Sequence, residues 1–457
     1  MTDIRTHVVK TLALAWPIMV GQGVMIVMAN VDLVMVGRAS TAELAYLGVG
    51  RQVYWVAAIM GFAFLAGVQV FVARADGQDD KPAVAAAWAQ GLVYALLLGA
   101  GLGAITAVLG PWALQLMGLK PALVAQGSEY IWVTAGGLPL ILLSTAAMLT
   151  FEGISRPRPG MAIAVSVIPL NILLNWLLVG GEASFPALGA TGAAWATNIC
   201  YAVAGLAQIV YLVSRRSLRA YGFHLAALAR QRWRALHRDG RALRRFGFAP
   251  GLAAGVEMAS FALLSLYAAR LGEGPVAAFQ VVIGLHACLF LVAFGMASAV
   301  SVRVGNAVGR GEWPLVPTVA LVGAGLVVVF MGALSLPLAL TPAPLARLFN
   351  DDAPTVALAA TMVAALAPVI AFDGLQFVLV FALRAAGDQQ MASVLQILSM
   401  WLGMAVGGAV FTFALDWGAM GVIAGFAAGI CLAALFLGLR FLWLSRRWRR
   451  QALPAAA

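Results

Sequence analysis

Twelve stretches of about twenty or more mainly apolar residues, cut apart by short breaks rich in charge, glycine and proline, dominate this sequence. They run over 12–36, 47–73, 84–108, 127–151, 160–180, 188–213, 247–270, 276–302, 315–340, 355–383, 391–413 and 418–444. A helix of about 20 apolar residues crosses the hydrocarbon core of a bilayer, and a helix satisfies its own backbone there. Composition agrees: 63% of the 457 residues are apolar and 10% are charged, against about 25% charged in a soluble domain. A water-soluble fold is excluded, because too few polar residues remain to cover its surface. The first run, 11–37, follows Arg5 and Lys10 as a secretory signal would. It is too long for a signal core and contains Asn30 and Asp32, so it reads as a retained first span.

The net charge of +11 would suit a nucleic-acid partner if the basic residues shared one soluble surface. Ten of the 29 instead lie between Arg215 and Arg245, and five between Arg440 and Arg450, each group directly after an apolar span. There they read as anchors beside anionic lipid, and no nucleic-acid partner is expected. An even number of spans puts both termini on one side. With that side cytoplasmic, 24 of the 29 Lys and Arg fall in inner segments, leaving Arg38, Arg51, Lys120, Arg270 and Arg347 outside, with none deep within a span. Cys200, Cys288 and Cys431 lie too far apart in sequence to suggest a disulfide framework, and the four histidines show no metal-ligand spacing. The loops ARADGQDDKP and NAVGRGEWP have no phosphate-cradle spacing, so ATP-driven transport by this chain alone is not expected.

The two halves resemble each other at offsets of 229 to 234 residues. Pro17 matches Pro250, Gly61 matches Gly295, and Gly77, Asp80 and Pro82 match Gly309, Glu312 and Pro314. Pro139 matches Pro368, Phe151 matches Phe381, and Gly189 and Gly192 match Gly418 and Gly421. The expected architecture is an all-α polytopic membrane protein: twelve transmembrane helices in two pseudo-symmetric six-helix lobes around a central cavity. Residues 1–213 form the first lobe, 214–245 a basic cytoplasmic linker, and 246–457 the second lobe with a basic tail. Six spans per half make the repeat parallel, about an axis normal to the membrane.

Fifteen of the 18 acidic residues sit in predicted loops or near span ends; Asp32, Glu257 and Asp373 do not. An acid at the centre of a span costs about 2.5 to 3.5 kcal/mol, so such residues face a watery cavity or a partner, and they mark ion and substrate paths. Glu257 follows Pro250 by seven residues and Asp373 follows Pro368 by five, beside the freed carbonyls that proline leaves. In the fifth span Asn171 and Asn175 are four apart and share one helical face. If that face meets Asp32, an oxygen-lined cation site results; ordinary interhelical hydrogen bonding, at about 0.6 to 2 kcal/mol, would also account for the pair. Under the repeat offsets Asp32 falls on Ser265, Glu257 on Val24 and Asp373 on Ser144, so the acids do not follow the symmetry of the glycines and prolines. Gln280 and His286 in the eighth span are weaker candidates, with a satisfied structural role favoured for both. Asp351 and Asp352 read as a solvated outer turn. The 17 Met and 22 Phe residues suit an adaptable apolar cavity as well as ordinary packing.

LAWPIMVGQG with VDLVMVGRAS, FAPGLAAGVEMAS, VAAFQVV, FGMASAVSVRVGNAVGRGE and IAFDGLQFVLVFALRAAGD resemble the multidrug and toxic compound extrusion (MATE) family, in its NorM-type branch. The resemblance covers nearly the whole chain. It implies a secondary active antiporter, not an enzyme, that exports cationic amphipathic compounds in exchange for Na+ or H+ and needs no cofactor. Its place would be the bacterial inner membrane, as a monomer. On the family's pattern Asp32, Asn171 and Asn175 fall at the first-lobe cation site. Glu257 and Asp373 fall at the second-lobe carboxylates, and Gln280 and Asp352 at positions that contact substrate in some relatives. Some sodium-coupled members carry a tyrosine one turn before the last of these acids, where Val369 stands here. A flippase for a lipid-linked precursor is an alternative, disfavoured by the lack of a basic residue deep in a span to meet phosphate. An intramembrane enzyme is a remote one, because His286 has no His or Glu partner one turn away.

Overall fold

The computed structural model describes residues 4–182, 186–224 and 240–450. Among the described residues every regular element is helical, and twelve helices are long and apolar enough to cross a membrane. These are α1 (Ile4–Ala39), α2 (Thr41–Gly77), α3 (Lys81–Leu116), α4 (Pro121–Gly153), α5 (Pro157–Gly180) and α6 (Gly189–Ser214) in the first half. The second half holds α7 (Arg241–Arg270), α8 (Glu273–Gly309), α9 (Leu315–Leu340), α10 (Ala353–Ala385), α11 (Gln389–Ala414) and α12 (Ala419–Arg449). All twelve expected spans are present. Several run well past the apolar run that marks them, since at 1.5 Å per residue a 36-residue helix outreaches the roughly 30 Å hydrocarbon core.

The chain divides into two compact units, Val20–Gly251 and Met1–Met19 with Leu252–Ala457. The expected lobes, 1–213 and 246–457, follow the sequence repeat; these units follow side-chain packing. At the start of α1, His7 and Thr11 are tied to Arg303 of α8, whose Nη1 donates to the His7 carbonyl at 2.8 Å, and Met19 covers Gly295. At the start of α7, Leu243 and Phe246 are buried over Gly67 of α2. Each half therefore hands the first turns of its leading helix to the other unit. Of the basic linker 214–245, residues 225–239 lie outside the described residues.

The internal repeat is visible in backbone hydrogen bonds. Asp79 donates to the Asp76 carbonyl at 3.1 Å and Asp80 to that of Ala75 at 3.0 Å; 232 residues on, Gly311 donates to Val308 at 3.0 Å and Glu312 to Ala307 at 2.9 Å. The end of α4 repeats at the end of α10 in the same way: Ser155 to Glu152 and Arg156 to Phe151, against Gly387 to Arg384 and Asp388 to Leu383. Close helix packing repeats too. A Cβ at Gly192 would stand 2.5 Å from the Leu178 carbonyl oxygen of α5, and one at Gly421 would stand 2.5 Å from the Thr412 nitrogen of α11. Small residues of this kind let membrane helices approach backbone to backbone.

The prolines act differently in the two halves. Pro139 is carried inside an unbroken α4, whereas Pro368 sits in a 3₁₀ turn, Ala367–Val369, that splits α10. The helix restarts at Ile370, which puts Asp373 in a first turn, where unsatisfied N–H groups favour an acid. Helix α11 is regular to Met400 and then runs in π-helical turns over Trp401–Gly407 and Val410–Ala414.

Candidate ion and substrate sites

In the unit Val20–Gly251, Asp32 gathers the residues expected around it. It is 7% exposed, and Asn171 and Asn175 are fully buried. The Asp32 Oδ1 accepts from Asn171 Nδ2 at 3.1 Å and from Asn175 Nδ2 at 2.7 Å. Asn175 Nδ2 also donates to the Asn171 carbonyl one turn back, which fixes its rotamer. Sequence reasoning missed the third donor: Thr197 of α6 donates from Oγ1 to Asp32 Oδ2 at 2.7 Å. A threonine in an apolar helix gives no signal in sequence, because its hydroxyl can return to its own backbone. The amide oxygens of Asn171 and Asn175 are buried with no hydrogen-bond partner. A carboxylate with two unused amide oxygens beside it suits a small cation, for which oxygen ligands are preferred.

Asp32 faces a narrow cavity of about 40 Å³ lined by Met25, Arg51, Tyr54, Trp55, Phe62 and Tyr130, among others. Aromatic and methionine side chains surround one carboxylate and the Arg51 guanidinium there. Arg51 corrects an expectation. It lies within α2 rather than in an outer loop, lines this cavity, and donates to the Ala29 carbonyl at 3.4 Å.

The other unit holds Glu257 and Asp373, within electrostatic reach of each other. Asp373, 2% exposed, meets His286 with 3.0 Å between Oδ2 and Nε2, and its Oδ1 accepts from Gln376 at 3.4 Å. The sequence favoured a bland role for His286; the structure makes it the partner of a buried acid. Half-buried Glu257 accepts from Gln396 Nε2 at 3.0 Å, and Gln396 Oε1 accepts from Arg384 Nη2 at 2.7 Å. Arg384 is buried, with Ser393 as a further acceptor. Its charge had marked a span end in sequence, so no basic residue was expected deep in the fold. A neutral glutamine bridging Arg384 and Glu257 accounts for the difference.

Gln280 is exposed on α8, and Asp352 is the N-cap of α10, its Oδ2 accepting from the Thr355 hydroxyl at 2.6 Å and the Thr355 N–H at 3.1 Å. Those bonds hold the Asp352 carboxyl below its ordinary value. Neither residue is hydrogen-bonded to Glu257 or Asp373 among the described residues. One buried acid escaped notice: Glu152, in the last turn of α4, accepts from Gln69 at 2.5 Å and Gln22 at 3.3 Å. Its nearness to the end of an apolar run hid it.

Two like bundles of membrane helices, each with carboxylates buried among polar side chains, fit a polytopic membrane transporter. The MatE family model matches residues 17–177 and 252–408, and the chain belongs to that family of transporters, which are not enzymes. Among curated relatives, a probable multidrug resistance protein NorM of Caulobacter vibrioides is 32% identical over 99% of this chain and 95% of its own. The multidrug resistance protein PmpM of Pseudomonas aeruginosa is 28% identical over 98% and 94%. Two solved structures share the fold. The crystal structure of the eukaryotic MATE transporter AtDTX14 has a TM-score of 0.88 at 18% identity, covering 98% of this chain and 100% of that one. The outward-facing conformation of a multidrug resistance MATE family transporter of the MOP superfamily has a TM-score of 0.86 at 19% identity, covering 98% and 99%.

Proposed function

We propose that the chain is a secondary active multidrug efflux antiporter that exports cationic amphipathic compounds in exchange for Na+ or H+ by alternating access. The names of its relatives support this reading, and the buried acid Asp32, held by Asn171, Asn175 and Thr197 beside an aromatic-lined cavity, carries it. Asp32, Asn171, Asn175, Glu257 and Asp373 bind the coupling ion, and Asp32, Glu257, Gln280, Asp352 and Asp373 meet the substrate. No cofactor enters the cycle. The chain works as a monomer in the bacterial inner membrane with both termini cytoplasmic, the arrangement the positive-inside count favours.

Two unit charges 4 Å apart interact by about 4 kcal/mol at an effective dielectric near 20. An ion or proton that neutralises a carboxylate therefore weakens a bound organic cation by a large factor, and its departure restores the attraction. Competition for the same negative charge couples the two fluxes, with no covalent step. Proteoliposomes carrying Asp32→Asn, Glu257→Gln or Asp373→Asn should lose at least tenfold of ethidium movement against an imposed sodium or proton gradient. Undiminished coupled movement in all three rejects the scheme.

A further inference from the structure

A cavity of about 330 Å³ lies at one end of the unit Val20–Gly251, where the last turns of α2, the first turns of α3 and the start of α7 meet. It is far roomier than the one at Asp32 and falls at the low end of ligand-sized pockets, about 300 to 1,000 Å³. Phe71, Ala83, Ala87 and Leu243 give it apolar walls, and its polar lining is Arg74, Gln78 and Gln90. Small side chains make the room. At the offset that relates Gly77 to Gly309, the lining alanines Ala83, Ala86 and Ala87 fall on Leu315, Thr318 and Val319, so the second half sets larger residues there.

The charge around the cavity is one-sided. The turn from α2 to α3 carries three acids, yet none lines the cavity and each is engaged elsewhere. Asp76 Oδ1 accepts from the Tyr221 hydroxyl at 2.7 Å, Asp80 Oδ1 accepts from the Ala83 N–H at 2.9 Å, and Asp79 Oδ1 stands 3.5 Å from Lys81 Nζ. Arg74 is the charged side chain in the lining, and on α7 the lining residues Ala242 and Leu243 are flanked by Arg241, Arg244 and Arg245. The Arg244 guanidinium lies 5.5 Å over the Tyr94 ring and donates to its hydroxyl, one helical turn beyond Gln90. Phe246 meets Phe71 edge-on at 5.6 Å, which fixes the first turns of α7 to α2 and keeps these arginines beside the cavity.

We propose that this cavity holds one acidic phospholipid, its phosphate on Arg74, Gln78 and Gln90 and the start of an acyl chain along Phe71, Ala83 and Ala87. Guanidinium and amide N–H groups are phosphate donors, and arginines at headgroup depth attract anionic lipid. A small soluble anion would leave the apolar walls uncovered, and a zwitterionic lipid would bring an ammonium group toward four arginines. The positive-inside count makes this the cytoplasmic end of the helices, so the lipid belongs to the inner leaflet. Its binding is separate from the antiport cycle and is measured with no substrate or gradient present.

Full-length protein in detergent, titrated with phosphatidylglycerol and followed by native mass spectrometry, should take up one lipid ahead of the rest, preferred about fivefold or more over phosphatidylethanolamine. Arg74→Gln should weaken that first uptake about fivefold, the worth of one arginine near an anionic membrane surface. Ala83→Leu combined with Ala87→Val installs the side chains of the second half, keeps every charge and should abolish it. A third measurement needs no variant: a photoactivatable phosphatidylglycerol added to the wild type should label residues 71–90 or 241–246, and excess inorganic phosphate should not displace it. First uptake unchanged in both variants overturns the assignment, as does labelling confined to other segments such as the basic end of α12. Equal uptake of phosphatidylethanolamine removes the role of charge and overturns it too. Displacement by inorganic phosphate makes the cavity a plain anion pocket and defeats the lipid.

Discussion

Asp32 and Asp373 are both buried acids in Pro-containing spans, yet the two units surround them with opposite chemistry. Asp32 receives two amide N–H groups and a hydroxyl, none of which changes charge at physiological pH. Asp373 meets an imidazole, and Glu257 beside it is linked through Gln396 to a buried guanidinium. The backbone frame repeats down to single hydrogen bonds while the polar side chains do not. Duplication supplied two equivalent scaffolds. The side chains set within them were free to diverge, because the repeated loops are held by backbone hydrogen bonds that tolerate different side chains, and only close-packed positions such as Gly192 and Gly421 keep the same residue.

If the second cluster is held by charge and the first by neutral donors, the largest stability loss should come from cutting the charged link. Gln396→Leu strips a donor from Glu257 and an acceptor from Arg384, whose Nε is already without a partner. Hydrogen bonds to charged groups are worth about 1.5 to 3 kcal/mol each, and a buried charge left unpaired costs more, so a loss of about 3 kcal/mol or more is expected in denaturation of the detergent-solubilised protein. A loss below about 1 kcal/mol would mean that water reaches both charges and that the cluster is not dry.

The shared frame makes a second, smaller forecast. Gly192→Ala and Gly421→Ala each push a methyl group into backbone of the preceding helix, at the Leu178 carbonyl and the Thr412 nitrogen. Overpacking of this kind costs about 1 to 3 kcal/mol, and the two values should agree within about 1 kcal/mol if the halves pack alike. The π-helical turns of α11 provide the place for a difference: a helix already widened at Thr412 yields more easily than regular α5, so the Gly421 variant should be the milder.

At the neutral site, Thr197→Val keeps shape and removes one of the three donors to Asp32. The two amides remain, so the stability cost should be about 1 to 2 kcal/mol, below that of Gln396→Leu. Sodium, if it binds here, should show its largest change in affinity on replacing Asn171 or Asn175, whose free amide oxygens are the available ligands. A Thr197→Val cost equal to that of Gln396→Leu would erase the distinction between a neutral and a charged cluster.

The parts of this fold that could be read from the sequence are those set by local chemistry. Hydropathy located every span, and the four-residue spacing of Asn171 and Asn175 put both amides on the face that Asp32 meets. What stayed hidden depends on contacts between distant helices. Thr197, 165 residues from Asp32, and Gln396, 139 residues from Glu257, are ordinary polar residues until packing brings them to an acid. Arg51 and Arg384 were hidden differently: Arg51 was taken to lie outside a span but sits inside α2, and Arg384, in the last turn of α10, is buried with partners rather than solvated. The unit boundaries were hidden because the chain crosses between units inside α1 and α7, where the hydropathy does not change.

The smallest expected effect is the sharpest check on the repeat. Asp79 and Gly311 occupy equivalent left-handed positions, with φ of 56° and 73°, at the same turn in the two halves. The first half sets an L side chain there, with a surface contact of 3.5 Å to Lys81 that contributes little. The second half sets a glycine with nothing within 4 Å of where a Cβ would stand, so a side chain added there meets conformational cost alone. Asp79→Gly should therefore relieve backbone strain, offset in part by the greater freedom glycine gives the unfolded chain, for a net gain under about 1 kcal/mol. Gly311→Asp should lose a similar amount, since aspartate tolerates this region better than most residues. If the turns are one structure used twice, the double variant should unfold within about 0.5 kcal/mol of the wild type, as distant sites add. A residual well above that would show that the turns, alike in hydrogen bonding, are loaded differently by the helices they join.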